Sequence, residues 1–186
     1  MSNEQAITAG KILIADPFMQ DPNFKQSVVL LCENNSNGAF GLVMNKPTGI
    51  LMTEAIEDFP AIECMLFDGG PVEKETVHFL TTRGDIIEDS LYIGEGIYWG
   101  GNFDRLKFLL DTKQIATDEV KFFLGYSGWE PGQIEFEMED NSWIVANAMA
   151  DILFKHEAPF IWRDVLSMLG GNYKFIANLP NDPNLN

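Results

Sequence analysis

Reactive side chains are scarce in this 186-residue chain, which holds only two cysteines and two histidines. Cys32 and Cys64 lie in the apolar runs 28–32 and 64–67, where a thiol acts as a small hydrophobe in a reducing compartment; no disulfide is expected. His78 and His156 add the only imidazoles, and their spacing to the cysteines matches no compact zinc-binding unit. Cations are also few. Twelve Lys and Arg face 28 Asp and Glu, a formal charge of −16, and the basic residues form no run. Such a field repels a phosphate backbone and disfavours direct nucleic-acid binding. No apolar stretch reaches membrane length, and Met1–Gln5 lacks a basic region leading into an apolar core, so a cytoplasmic location is expected. The glycines of Gly94-Glu95-Gly96 and Gly100-Gly101 precede a helix signal at Asn102, but they follow neither nucleotide-binding spacing, and Glu95 opposes phosphate. No cofactor and no metal are implied.

What the chain does have is core material. A 46% hydrophobic and 12% aromatic composition supports one domain over 1–186 without metals or disulfides, with 1–9 and 180–186 as mobile ends. Short apolar runs at 11–15, 27–33, 40–45, 65–67, 77–81, 91–93, 120–124 and 143–146 read as strands. The segment Asn34 to Gly38 reads as a hairpin turn, because Asn and Gly tolerate left-handed geometry. Helices are expected over 52–59, after the Asn102 cap with Phe103, Leu106, Leu109 and Leu110 on one face, after Pro131, and from Pro159 to Gly170. Strands outnumber helices without strict alternation. The class is therefore α+β, a mixed or largely antiparallel sheet curled into a partial barrel with short flanking helices.

Four punctuated motifs follow one another. They are Pro17 with Asp21-Pro22-Asn23-Phe24 before Ser27-Val28; Gly38-Ala39-Phe40-Gly41 running to Asn45-Lys46-Pro47; Gly69-Gly70-Pro71-Val72; and Gly125-Tyr126-Ser127-Gly128-Trp129 leading to Gly132-Gln133-Ile134-Glu135. The last reads as a turn at a packed edge or pocket wall, since glycine permits close approach and Tyr and Trp offer broad apolar faces. Together and in this order the four resemble the AlgH/YqgE family of bacterial proteins, from about Gly10 to a final strand near Phe175. The resemblance implies an α+β fold and, through some members' names, a link to regulation of alginate production. It brings no active site with it.

Two readings of function remain open. In the first, a non-enzymatic binding or regulatory protein recognises a protein partner or small ligand through Asn45, Lys46, Gly69, Gly70, Tyr126 and Trp129. Pro47 restrains Lys46, an isolated cation suited to a carboxylate or phosphate, and the Gly69-Gly70 turn offers backbone amides. Aromatic and cationic anchors concentrate binding energy. In the second, Ser127 is the nucleophile of a small hydrolase or transferase with His78 or His156. Gly-Tyr-Ser-Gly-Trp approximates a nucleophile elbow, and Asp140 or Asp151 would complete the order Ser, Asp, His, although Trp129 replaces the required second glycine. Glu137, Glu139 and Asp140 read as a solvated acidic face.

Overall fold

The computed structural model describes residues 6–177; the ends 1–5 and 178–186, which include the expected mobile end 180–186, lie outside the described residues. Ten strands form one sheet. They are β1 (Lys11–Ala15), β2 (Val28–Asn35), β3 (Gly38–Val43), β4 (Pro47–Leu51), β5 (Met65–Asp68), β6 (Val72–Thr81), β7 (Leu91–Gly94), β8 (Ile97–Trp99), β9 (Val120–Trp129) and β10 (Trp143–Asn147). The main path runs β10-β1-β2-β3-β9-β6-β8-β7, with β5 between β4 and β9. Every pairing is antiparallel except β5 with β9, and the sheet curls into a partial barrel. The α+β expectation holds. Six helices accompany it among the described residues: α1 (Met52–Ala55), α2 (Phe103–Asp111), α3 (Gln133–Glu139), α4 (Ala150–Lys155), α5 (Ala158–Leu169) and α6 (Gly171–Ile176).

β1 and β2 read as continuous apolar runs because both of their faces are covered. Ile12, Ile14, Val28 and Leu30 pack inward on Leu153 of α4 and on Ile161, Val165 and Leu166 of α5. Leu13, Val29 and Leu31 pack outward on Ile134 of α3 with Trp129 and Trp143. A third cluster lies between the outer face of β5, β6 and β9 and helix α2, where Leu66, Phe79 and Phe122 meet Leu106, Leu109 and Leu110. Alternation along β9 thus sends Phe122 to one core and Phe123 to another. Asn102 caps α2 as expected, its Oδ1 accepting from the Arg105 N–H at 2.9 Å.

Several boundaries differ from the sequence reading. The helix expected over 52–59 stops at Ala55, where Ile56 turns extended. The chain near Phe175 is helix α6, not a strand. Residues 7–9, expected within a mobile end, are tied down: Asn34 Nδ2 donates to Ile7 O at 2.8 Å and Ala9 packs on the inner core. The largest difference concerns β9. Strand continues through Gly125-Tyr126-Ser127-Gly128-Trp129, which the sequence reading placed in a turn. The first half of β9 pairs with β5 and β6, and the second half pairs with β3, with Gly41 opposite Ser127 and Ala39 opposite Trp129.

Candidate functional site

The six residues expected to form one recognition surface do not share one: Asn45 and Lys46 line a different pocket from Tyr126 and Trp129, and Gly69 and Gly70 line neither. Gly69 and Gly70 mark a backbone crossing. Gly69 N–H donates to Leu124 O and Gly69 O accepts from Val43 N–H, so three strands meet at this residue. A Cβ on Gly69 would lie 2.3 Å from Gly125 O, and one on Gly70 2.3 Å from Tyr126 O. Only glycine allows this approach. The amides are engaged, since Gly70 N–H donates to Asp68 Oδ1 at 3.2 Å. The third and fourth motifs therefore pack against each other, and this turn holds the sheet together instead of presenting free donors.

Tyr126 opens onto a groove of about 510 Å³ whose lining includes Phe40, Trp99 and Trp129. Phe40 is the hub, 4.8 Å from the Trp99 ring centroid, 4.9 Å from Tyr126 and 5.4 Å from His78. All four rings are half-buried, so part of each face stays in contact with solvent. On the far side of Trp99 a second, apolar cavity of about 380 Å³ is walled by Val77, His78, Phe79 and Phe103. His78 Nε2 lies 3.1 Å from Thr76 Oγ1, and burial pulls its pKa down while the Glu73 carboxylate opposes that shift. The groove rim carries Glu33 and Glu130 and no Lys, Arg or His. These rings come from β3, β6, β8 and β9; the sequence reading singled out only Tyr126 as a recognition residue.

Trp129 contributes a wall, yet only 5% of its surface is exposed. Its indole N–H donates to Glu137 Oε2 at 3.0 Å, and the same oxygen accepts from Trp143 Nε1 at 2.7 Å. Gln133 Nε2 donates to the other carboxylate oxygen at 2.8 Å. Glu137 is thus no part of a solvated acidic face; it satisfies two buried indoles that would otherwise lack acceptors. Among the described residues no group of three or more His, Cys, Asp or Glu could hold a metal ion.

Asn45 and Lys46 line a different, polar pocket of about 300 Å³. Asn45 Oδ1 accepts from Val28 N–H at 2.9 Å, and its Nδ2 donates to Gln26 O at 2.9 Å. That grip holds Gln26 in a left-handed conformation, φ 53°, which is uncommon outside glycine. Lys46 Nζ donates to Asn23 O at 2.6 Å and Pro22 O at 3.3 Å. The first and second motifs therefore meet here.

A family model described as AlgH-like matches residues 12–174. This chain belongs to the AlgH-like family. A UPF0301 protein of Cytophaga hutchinsonii is 42% identical over 181 residues, covering 97% of this chain and all of that protein. A UPF0301 protein of Chlorobaculum tepidum is 42% identical over 187 residues, covering both chains fully. The solution structure of the AlgH protein from Pseudomonas aeruginosa superposes with a TM-score of 0.73 at 32% identity, over 97% of this chain and 98% of that one. A crystal structure of a Corynebacterium diphtheriae protein reaches a TM-score of 0.75 at 20% identity, over 96% and 95% of the two chains, and shows the shared fold.

The hydrolase constellation places its members with other partners in this AlgH-like fold. Ser127 is fully buried and its hydroxyl donates to Gly69 O at 3.1 Å. His156 Nδ1 pairs with Asp164 Oδ2 at 2.7 Å, at the junction of α4 and α5. His78 bonds Thr76. Cys64 is buried, and desolvation pushes its thiol up to about 11, which leaves little thiolate at neutral pH. No helix among the described residues is long and apolar enough to cross a membrane.

Proposed function

We propose that this AlgH-like protein is a non-enzymatic cytoplasmic binding protein whose groove takes a small ligand with a flat, neutral or cationic group. The observation that carries the reading is the half-buried ring set Phe40, Trp99 and Tyr126 beneath a rim of Glu33 and Glu130 with no cation. A volume of about 510 Å³ falls within the usual range for small-molecule sites, and ring faces attract cations and stack on planar groups. The bonding of Ser127 to Gly69 supports binding over hydrolysis, because an activated serine needs a base on its hydroxyl.

Trp99 supplies a fluorescence reporter inside the groove. Screening neutral and cationic aromatic compounds by tryptophan fluorescence, with Tyr126→Ala and Phe40→Ala beside the parent chain, tests the reading. A saturable hit should weaken roughly tenfold in each variant, as expected for losing about 1.4 kcal/mol of ring contact. Equal affinity in parent and variants, or hits confined to anionic compounds, would refute it.

A further inference from the structure

The pocket around Lys46 has a composition opposite to that of the whole protein. Three of the chain's twelve cations, Lys25, Lys46 and Arg163, line it, and none of its 28 carboxylates does. It shares no lining residue with the aromatic groove. We propose that it is a binding site for a small dianionic oxyanion, with the phosphate group of a phosphomonoester as the best match.

The cations reach the pocket from two directions. Lys25 precedes β2 and Lys46 follows β3, and Asn45 locks those two strand ends together through Val28 and Gln26. Arg163 comes from α5, whose Trp162 donates its indole N–H to Ala15 O of β1 at 2.9 Å and so fixes the helix against the same sheet. Both walls are held by buried or half-buried hydrogen bonds, so the backbone positions that carry the charges are fixed before any ligand arrives, and only the Lys25 and Arg163 side chains remain to be ordered. Arg163 and Lys25 make no side-chain hydrogen bond or ion pair among the described residues. A guanidinium left without a partner offers its planar fork to two oxygens, while the ammonium groups add point charges around a tetrahedral group.

The surrounding carboxylates are occupied or lie outside the lining. Asp164, next to Arg163 in sequence, is bonded to His156. Asp68 pairs with Lys74 at 3.2 Å. Asp21 and Asp68 raise the Lys46 pKa, Lys74 lowers it, and desolvation, the largest influence, holds it below the ordinary lysine value. An anion brought to this point favours the charged ammonium and offsets that desolvation.

Inorganic phosphate is the probe. Titrations of the full chain at low ionic strength, followed by amide chemical shifts, should show saturable changes around Lys25, Asn45 and Arg163. Arg163→Gln removes no side-chain hydrogen bond among the described residues, so it should leave folding intact and weaken phosphate at least tenfold. Lys25→Gln should weaken it several-fold, and Lys113→Gln, which neither lines the pocket nor acts on Lys46, should leave it unchanged. Malonate and acetate run in parallel: malonate binding as tightly as phosphate would reassign the site to dicarboxylates and overturn the phosphomonoester assignment, and acetate should bind weakest. Changes spread over the surface, or equal losses in Lys113→Gln and Arg163→Gln, would overturn the site. Loss of phosphate binding leaves the aromatic-groove reading standing, since the two share no residue.

Discussion

Lys121 offers the sharpest quantitative test of this fold. It projects from the first half of β9 with 7% of its surface exposed, donates to Met44 O at 3.1 Å and sits 4.3 Å over the Phe67 ring. No carboxylate pairs with it among the described residues. Burial therefore pulls its pKa down to about 8 from an ordinary 10.5. In the unfolded chain the amine keeps its proton up to about 10.5, so between these values the unfolded state binds more protons than the folded one. Stability then rises with pH through that window. Working the linkage between pH 7 and pH 9.5 gives a gain of about 2 kcal/mol from this one group. Lys121→Met keeps the apolar stem and removes the titration. Urea unfolding of both chains at half-unit steps of pH isolates the effect, because every other group cancels in the difference. The gap between the two stabilities should shift by about 2 kcal/mol in favour of the parent as pH rises. Parallel curves would refute the reasoning, since they would mean that Lys121 holds its proton equally in both states.

Other substitutions separate packing from backbone cost. Gly69→Ala should lower stability by about 3 kcal/mol or more, because the added methyl meets the Gly125 carbonyl in a three-strand crossing; Gly49→Ala, φ 81° with open space around it, should cost only about 1–2 kcal/mol. Thermal melts read the contrast as roughly 6–12 °C against 2–8 °C for a chain of this length, and a reversed order would refute the crossing. Glu137→Leu leaves the Trp129 and Trp143 N–H groups buried without acceptors, and denaturant unfolding should register a loss of about 2–4 kcal/mol, with Glu137→Gln recovering part of it; no loss in the leucine variant would show that water serves the indoles equally well.

Much of the architecture was legible in the sequence, for physical reasons that also explain what was not. The strands β1 and β2 stood out as unbroken apolar runs because helices cover one face and the Trp129–Trp143 cluster the other. Helix α2 carried its cap and its face in plain view. β4, with its Pro-Thr-Gly start and irregular pairing to β5, offered no alternation to read. Gly125 and Gly128 suggest a turn for the second half of β9; in the structure Gly125 faces the Gly70 carbonyl, where a side chain would not fit. Long-range pairing decided the site. Phe40, His78, Trp99 and Tyr126 sit on four strands joined to one another in the order β3-β9-β6-β8, pairings that link segments distant in sequence, so local pattern could not unite them. Asn45 and Lys46 were singled out, but Arg163 joined them only once α5 was anchored on Ala15.

The position of β9 has a consequence for how the molecule is made. β3, β5 and β6 all find a neighbour in this one strand, which spans residues 120–129, and β1 waits longer still for β10. During synthesis the ribosome delivers the first three strands and the β5–β6 segment well before their shared partner leaves the exit tunnel. For that interval the growing chain carries open, apolar strand edges, the form of nascent protein most prone to pair with the wrong neighbour. The emergence of residues 120–129 ends that interval for β3, β5 and β6, which makes the timing of elongation through this stretch a determinant of yield.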